Sequence, residues 1–144
     1  MILDLPDIRQ RTGWDCGRAA VDCVVQFVFG ERADLRKLMT TPMDGTDPRN
    51  IESMLRMLGC DVLSGEMDVT DLKYHISRNR PVIAAVKNHY VVVKGVGRGR
   101  VHYQDPTQGP VKATIDDFVG WWKETDRLGV VYRCFGIAAS VAGG

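Results

Sequence analysis

Apolar and polar residues fall along this chain in two regimes. In roughly the first half, apolar positions recur at helical spacing; later they gather in short runs and alternations of the kind strands make. Residues 16 to 29 predict a first helix. Its polar positions, Arg18, Asp22 and Gln26, stand four apart and form one thin stripe, while every other position is apolar or small. A helix apolar nearly all round is buried, so this one is expected at the centre of the molecule, with Gly30 as its cap. A short helix over Ala33 to Met39 and a polar link over Thr40 to Thr46 are expected next. Asp47-Pro48 supplies an N-cap and a first-turn proline. Ile51, Met54, Leu55 and Leu58 then follow at i, i+3, i+4, i+7, and Gly59 stops the helix.

The strand-like half opens with Cys60 to Leu63, is interrupted by a short helix over Thr70 to Arg78 with Leu72 and Ile76 inward, and resumes at Val82 to Val86. Tyr90 to Val93 predicts another buried strand, and Val101 and Tyr103 alternate with polar residues in the next. Pro106 to Pro110 reads as a turn before a strand near Val111 to Ala113. Thr114 with Asp117 forms a variant capping box for a helix carrying Phe118, Trp121 and Trp122. Val130 to Ile137 closes the pattern as a last strand. Helices first and an antiparallel sheet second is an α+β layout, expected as one domain over residues 1–144.

Charge and composition narrow the function classes. The formal net charge is +1 and the signs are interspersed, so no broad field points to nucleic acid or an anionic membrane. No apolar stretch approaches the ~20 residues of a membrane helix, and the short acidic start is unlike a signal peptide. A soluble cytoplasmic chain is expected. The four cysteines, Cys16, Cys23, Cys60 and Cys134, contain no Cys-x-x-Cys pair, so neither a structural metal nor a cofactor is expected. Cys23, Cys60 and Cys134 sit among apolar neighbours and read as inert core thiols.

Cys16 is different, because it stands where a polar loop ends and the central helix begins. Unpaired N–H groups at a helix start favour negative charge, which promotes the nucleophilic thiolate. Gln10, six positions earlier, is close enough to bring an amide donor toward that sulfur, and an amide beside a helix-terminal N–H is what an oxyanion hole needs. A solvated loop glutamine is the plainer alternative. Cysteine catalysis also needs a base, and three histidines compete. His89 opens an apolar strand where it could face a cleft; His75 lies near the apolar face of a short helix; His102 alternates outward. Asp105 ends the strand after His89. In an antiparallel pair the start of one strand lies beside the end of the next, so Asp105 is placed to orient His89, or else merely to open a turn with Pro106. The glycines Gly95, Gly97 and Gly99 precede another strand, not a helix, and read as a hairpin turn with Arg98 and Arg100 in solvent.

Taken in order, Gln10, Asp15-Cys16-Gly17, His89-Tyr90-Val91-Val92-Val93 and Asp105-Pro106 resemble the papain-like cysteine peptidases, and among them the double-glycine leader peptidases that process bacteriocins. Arg18 stands where members often carry a small residue or proline. The resemblance implies a papain-like fold with a buried central helix on an antiparallel sheet. It implies Cys16 as nucleophile, His89 as base, Asp105 as its orienter and Gln10 as oxyanion donor. It further implies hydrolysis after a Gly-Gly site in a leader or precursor peptide, with a transporter as a possible partner in trans. The rival functions are a peptidase-like module that binds a peptide without cutting it, and an acyl transferase on the same fold. The sequence ends Gly143-Gly144 after small apolar residues; an ordinary chain end is the preferred reading and a product of such cleavage the alternative, and this tail is expected to be held in the sheet or in the active-site groove.

Overall fold

In the computed structural model of the protein, the described residues are 1–10, 16–30, 47–87, 89–123, 125–127 and 130–143. The helix expected at 33–39, the link at 40–46 and Asp15 lie outside them. Among the described residues, four helices and eight strands run in the order α1 Cys16–Phe29, α2 Pro48–Met57, β1 Cys60–Glu66, α3 Val69–Ser77, β2 Val82–Val86, β3 His89–Gly97, β4 Arg100–Asp105, β5 Gly109–Thr114, α4 Ile115–Trp122, β6 Thr125–Arg127, β7 Val130–Tyr132 and β8 Phe135–Val141. Six strands form an antiparallel sheet in the order β1-β8-β2-β3-β4-β5, and β6 pairs with β7 alone.

Local chemistry explains the helix ends. Gly30 takes φ 72° beyond α1, a conformation that costs glycine little, and its N–H reaches the Gln26 carbonyl. Asp47 caps α2 through the Arg49 N–H. Asp68 and Asp71 cap α3 reciprocally. Thr114 caps α4 by accepting from the Asp117 N–H at 3.1 Å, as the sequence predicts.

The core lies between sheet and helices. Every residue of β2 and residues 90–93 of β3 are buried, so these strands are covered on both faces. α1 packs against β3, β8 and α2, and it is as enclosed as its pattern predicts. Of its polar stripe Asp22 is buried, while Arg18 and Gln26 are half-buried. Beyond Val93, β3 has outrun its partner β2, and the N-terminal segment takes over that edge. Ile2 bridges Gly95, and the Leu3 N–H donates to the Lys94 carbonyl at 2.7 Å. A Cβ on Gly95 would lie 2.8 Å from the Ile2 side chain, so glycine is what lets the segment dock.

The strand expected over Val130 to Ile137 is broken. Cys134 sits at φ 46°, its N–H bonded to the Trp122 carbonyl and its carbonyl to the Met67 N–H, and this corner separates β7 from β8. The tail continues β8 along β1: the Ala142 N–H reaches the Gly59 carbonyl and the Gly143 N–H reaches Asp61. Of the two places expected for the tail, the structure gives the sheet.

Candidate active site

Cys16 is the first residue of α1 and is 5% exposed. His89 is the first residue of β3. Val93 pairs with Tyr103, and side chains alternate along strands, so residues 89, 91 and 93 share a sheet face with residues 103 and 105. That register carries His89 to Asp105. His89 Nε2 lies 2.7 Å from Asp105 Oδ1, and His89 also hydrogen-bonds the Cys16 sulfur. The sequence prediction of a cross-hairpin pair holds in geometry.

Asp105 is 1% exposed, which for a carboxylate demands partners. Burial alone would raise its pKa. Hydrogen bonds from His89, from the Thr107 N–H at 2.8 Å and from the Gln108 N–H, together with the His89 charge, hold it below the usual carboxylate range. The Thr107 bond makes Asp105 the opener of an Asx-type turn as well. The two readings of Asp105, orienter and turn opener, are therefore compatible. Burial likewise pulls His89 down, but hydrogen bonds to Asp105 and Cys16 and the charges of both push it up to about 9. At neutral pH this imidazole is protonated, the state that pairs with a thiolate.

Gln10 joins from the N-terminal segment. Its N–H donates to the Pro106 carbonyl at 2.9 Å, and its Oε1 accepts from the Thr107 hydroxyl at 3.1 Å. The same segment is fastened beside it. Arg9 pairs with Asp7 at 2.7 Å, Asp7 accepts from the buried Gln104, and the Arg9 guanidinium lies directly over Gly109, where any Cβ would collide with it. Cys16, His89, Asp105, Thr107 and Gln10 thus form one continuous set of contacts drawn from the helix start, two strands, a turn and the N-terminus.

The aromatic wall was not read from the sequence as part of the site. Trp121 of α4 stands with its ring centroid 6.4 Å from that of His89 and 6.0 Å from that of Tyr103, and Tyr103 packs in turn on Phe118. The signal was present: Trp121 is the half-exposed member of a helix whose Phe118 and Trp122 are buried. The other histidines stay outside the cluster. His75 is more enclosed than an ordinary surface histidine, and His102 faces Lys112 across β4 and β5. Cys23 and Cys60 are buried, and burial pushes their thiols up to about 12 and about 11; Cys134 is only partly covered. No group of three or more His, Cys, Asp or Glu side chains suited to a metal occurs among the described residues.

Comparison with known proteins accords with this geometry. The chain is 28% identical over 121 residues to the lactococcin-G-processing and transport ATP-binding protein LagD of Lactococcus lactis subsp. lactis. That alignment covers 80% of this chain and only 17% of LagD. In fold it is similar to a double glycine motif protease from an AMS/PCAT transporter solved with its leader peptide, with TM-score 0.75 and 19% identity over 98% of this chain and 94% of that one. It is equally similar to the peptidase domain of Streptococcus ComA, with TM-score 0.75 and 23% identity over 96% and 98% of the two chains. These structures match the mixed helix and antiparallel sheet architecture at identities that speak for the fold alone. The Peptidase C39 family model matches residues 4–126, most of the chain, and with the fold it places this protein in the C39 family of cysteine peptidases.

Proposed function

We propose that this peptidase cleaves a peptide bond after a Gly-Gly pair in a leader or precursor peptide, with Cys16 as nucleophile, His89 as acid and base, Asp105 as orienter and Gln10 as oxyanion donor. The observation that carries the assignment is the unbroken contact from the Cys16 sulfur through His89 to the buried Asp105 carboxylate. The Cys16 thiolate adds to the carbonyl carbon, and the carbonyl electrons move to oxygen. That oxyanion is met by the Gln10 amide and the backbone N–H at the start of α1. As the tetrahedral species collapses, the C–N bond breaks and protonated His89 gives its proton to the leaving amine. The acyl group remains on sulfur as a thioester. Neutral His89 then takes a proton from water, hydroxide displaces the thiolate, and the carboxylate product departs.

Glycine on the acyl side suits this site, because a residue without a Cβ lets its backbone approach the sulfur closely beside the Trp121 wall. A transporter acting in trans and a cytoplasmic location belong to the same proposal. All four cysteines are free thiols, as a reducing compartment would keep them. No helix among the described residues is long and apolar enough to cross a membrane. The chain is read as one catalytic unit over residues 1–144. The test is mass spectrometry of peptides with an internal Gly-Gly after incubation with the protein. Cleavage after the second glycine, lost in Cys16→Ala and His89→Ala, is expected. Binding without cleavage by the wild type, or cleavage that survives in Cys16→Ala, would overturn the reading.

A further inference from the structure

We propose that Thr107 is a positioning residue that keeps the oxyanion donor correctly turned and ties it to the base; this rests on the roles assigned above to Gln10 and Asp105. Thr107 lies in the turn between β4 and β5. Its backbone N–H donates to Asp105 Oδ1 at 2.8 Å, the same oxygen that meets His89 Nε2 at 2.7 Å. Its hydroxyl donates to Gln10 Oε1 at 3.1 Å. One residue therefore holds the base side through its main chain and the oxyanion side through its side chain, across 97 positions of sequence. The adjoining contacts reinforce the joint: the Gln10 N–H donates to the Pro106 carbonyl, and Arg9 Nη1 donates to the Thr107 carbonyl at 3.4 Å.

The physical need for such a residue comes from the shape of an amide. The oxygen and NH₂ of glutamine are nearly the same size, so a half-turn of the group exchanges donor for acceptor without steric cost. In a site that must stabilise a negative oxygen, the wrong half-turn presents a carbonyl and repels it. The Thr107 hydroxyl donates to Oε1, which anchors the amide in the half-turn that directs Nε2 away from Thr107. The preference matters most when charge develops on the substrate oxygen, so it acts on kcat more than on KM.

The experiment uses the intact protein and a fluorogenic peptide ending in Gly-Gly joined to an aminocoumarin. Thr107→Val keeps the shape and the backbone N–H but removes the hydroxyl. It is expected to lower kcat about tenfold, the scale of one lost hydrogen bond, with KM changed less than about twofold. Thr107→Ser should recover most of the loss. In a Gln10→Ala background, Thr107→Val should add little, because residues acting through one another are not additive. The pH profile of Cys16 alkylation by iodoacetamide should stay where it is in Thr107→Val, since the bond to Asp105 is retained. A Gly-Gly peptide aldehyde, whose addition product places an oxygen in the same hole, should bind about tenfold more weakly to Thr107→Val even without turnover. If Gln10→Ala is impaired while Thr107→Val matches wild type, only the Thr107 proposal falls. An equal further loss in the Gln10→Ala background, or a shifted alkylation profile, would also overturn it and indicate general disturbance of the turn. If Gln10→Ala keeps full kcat, the oxyanion assignment itself fails, and Thr107 loses its role with it.

Discussion

His75 on α3 and His89 on β3 are both largely buried, and burial pushes both toward the neutral form, yet they end in opposite states. His75, 7% exposed, has an Nδ1 without a hydrogen-bond partner among the described residues; burial and the nearby Arg80 charge lower its pKa, against a smaller opposing pull from Asp71. His89 has a carboxylate at 2.7 Å and a sulfur within hydrogen-bond reach, and its pKa rises to about 9. Enclosure makes a histidine inert; a fixed anionic neighbour makes it a cation held ready for transfer. The lesson extends to His102, which burial and then Lys112 and Lys94 drive down in the same direction as His75. Among the described residues, a buried carboxylate bonds one of the three histidines, the one beside the helix-terminal cysteine.

The sharpest way to break this contrast is to remove each ring. His89→Ala and Cys16→Ala should each reduce kcat/KM for a Gly-Gly peptide by about 10³-fold or more, whereas His75→Gln should change it less than about twofold. Comparable losses at residues 75 and 89 would erase the distinction. Next in size is the carboxylate. Asp105→Asn should leave the fold intact but cost about 10² to 10⁴-fold in kcat, and should return the His89 pKa from about 9 toward its ordinary 6.5. The His89 ring signals in an NMR titration read that change directly.

The smallest effect is in stability, and there the two histidines should act with opposite sign. The folded pKa of His89 lies above its unfolded value. Its contribution is complete below pH 6.5 and is lost as pH rises from there through about 9. The folded pKa of His75 lies below its unfolded value, so its contribution is present above 6.5 and is lost as pH falls below it. Urea unfolding from pH 5 to 9.5 should show His89→Gln losing the alkaline decline and His75→Gln losing the acid decline. For His89 the rise from 6.5 to about 9 corresponds to at most about 3 kcal/mol, less its partial exposure to solvent; for His75 the expected outcome is the sign. Slopes of the same sign would mean that the environments of the two rings have been misjudged.

What could be read from the residues was whatever depended on spacing and neighbours. The stripe in α1, the i, i+3, i+4, i+7 series of α2 and the run at residues 82–86 each state their burial locally. His89 and Asp105 could be joined because a hairpin converts sequence order into proximity. Readings failed where distant parts decide. β3 runs on to Gly97 because β4 stays paired with it that far, and Ile2 arrives at its other edge at Gly95. The last strand breaks at Cys134 because that corner is tied to Trp122 and Met67. Asp22 looked like part of a polar stripe, but the packing of α1 against strands and a second helix encloses it. Thr107 and Trp121 carried no motif; their place beside Gln10 and His89 depends on the closed fold.

The position of β8 between β1 and β2 sets an order of assembly. Strands β2 to β5 are neighbours in sequence as well as in the sheet, so a chain leaving the ribosome can zip them as successive hairpins. β1, though made earlier, has β8 as its strand partner and must wait for residues 135–141 to emerge. Until then Cys60–Glu66 offers bare backbone to any passing strand or protease. Interrupted synthesis would therefore leave a protein whose catalytic hairpin is paired but whose opposite flank lies open, a form that proteolysis should clear faster than the finished enzyme.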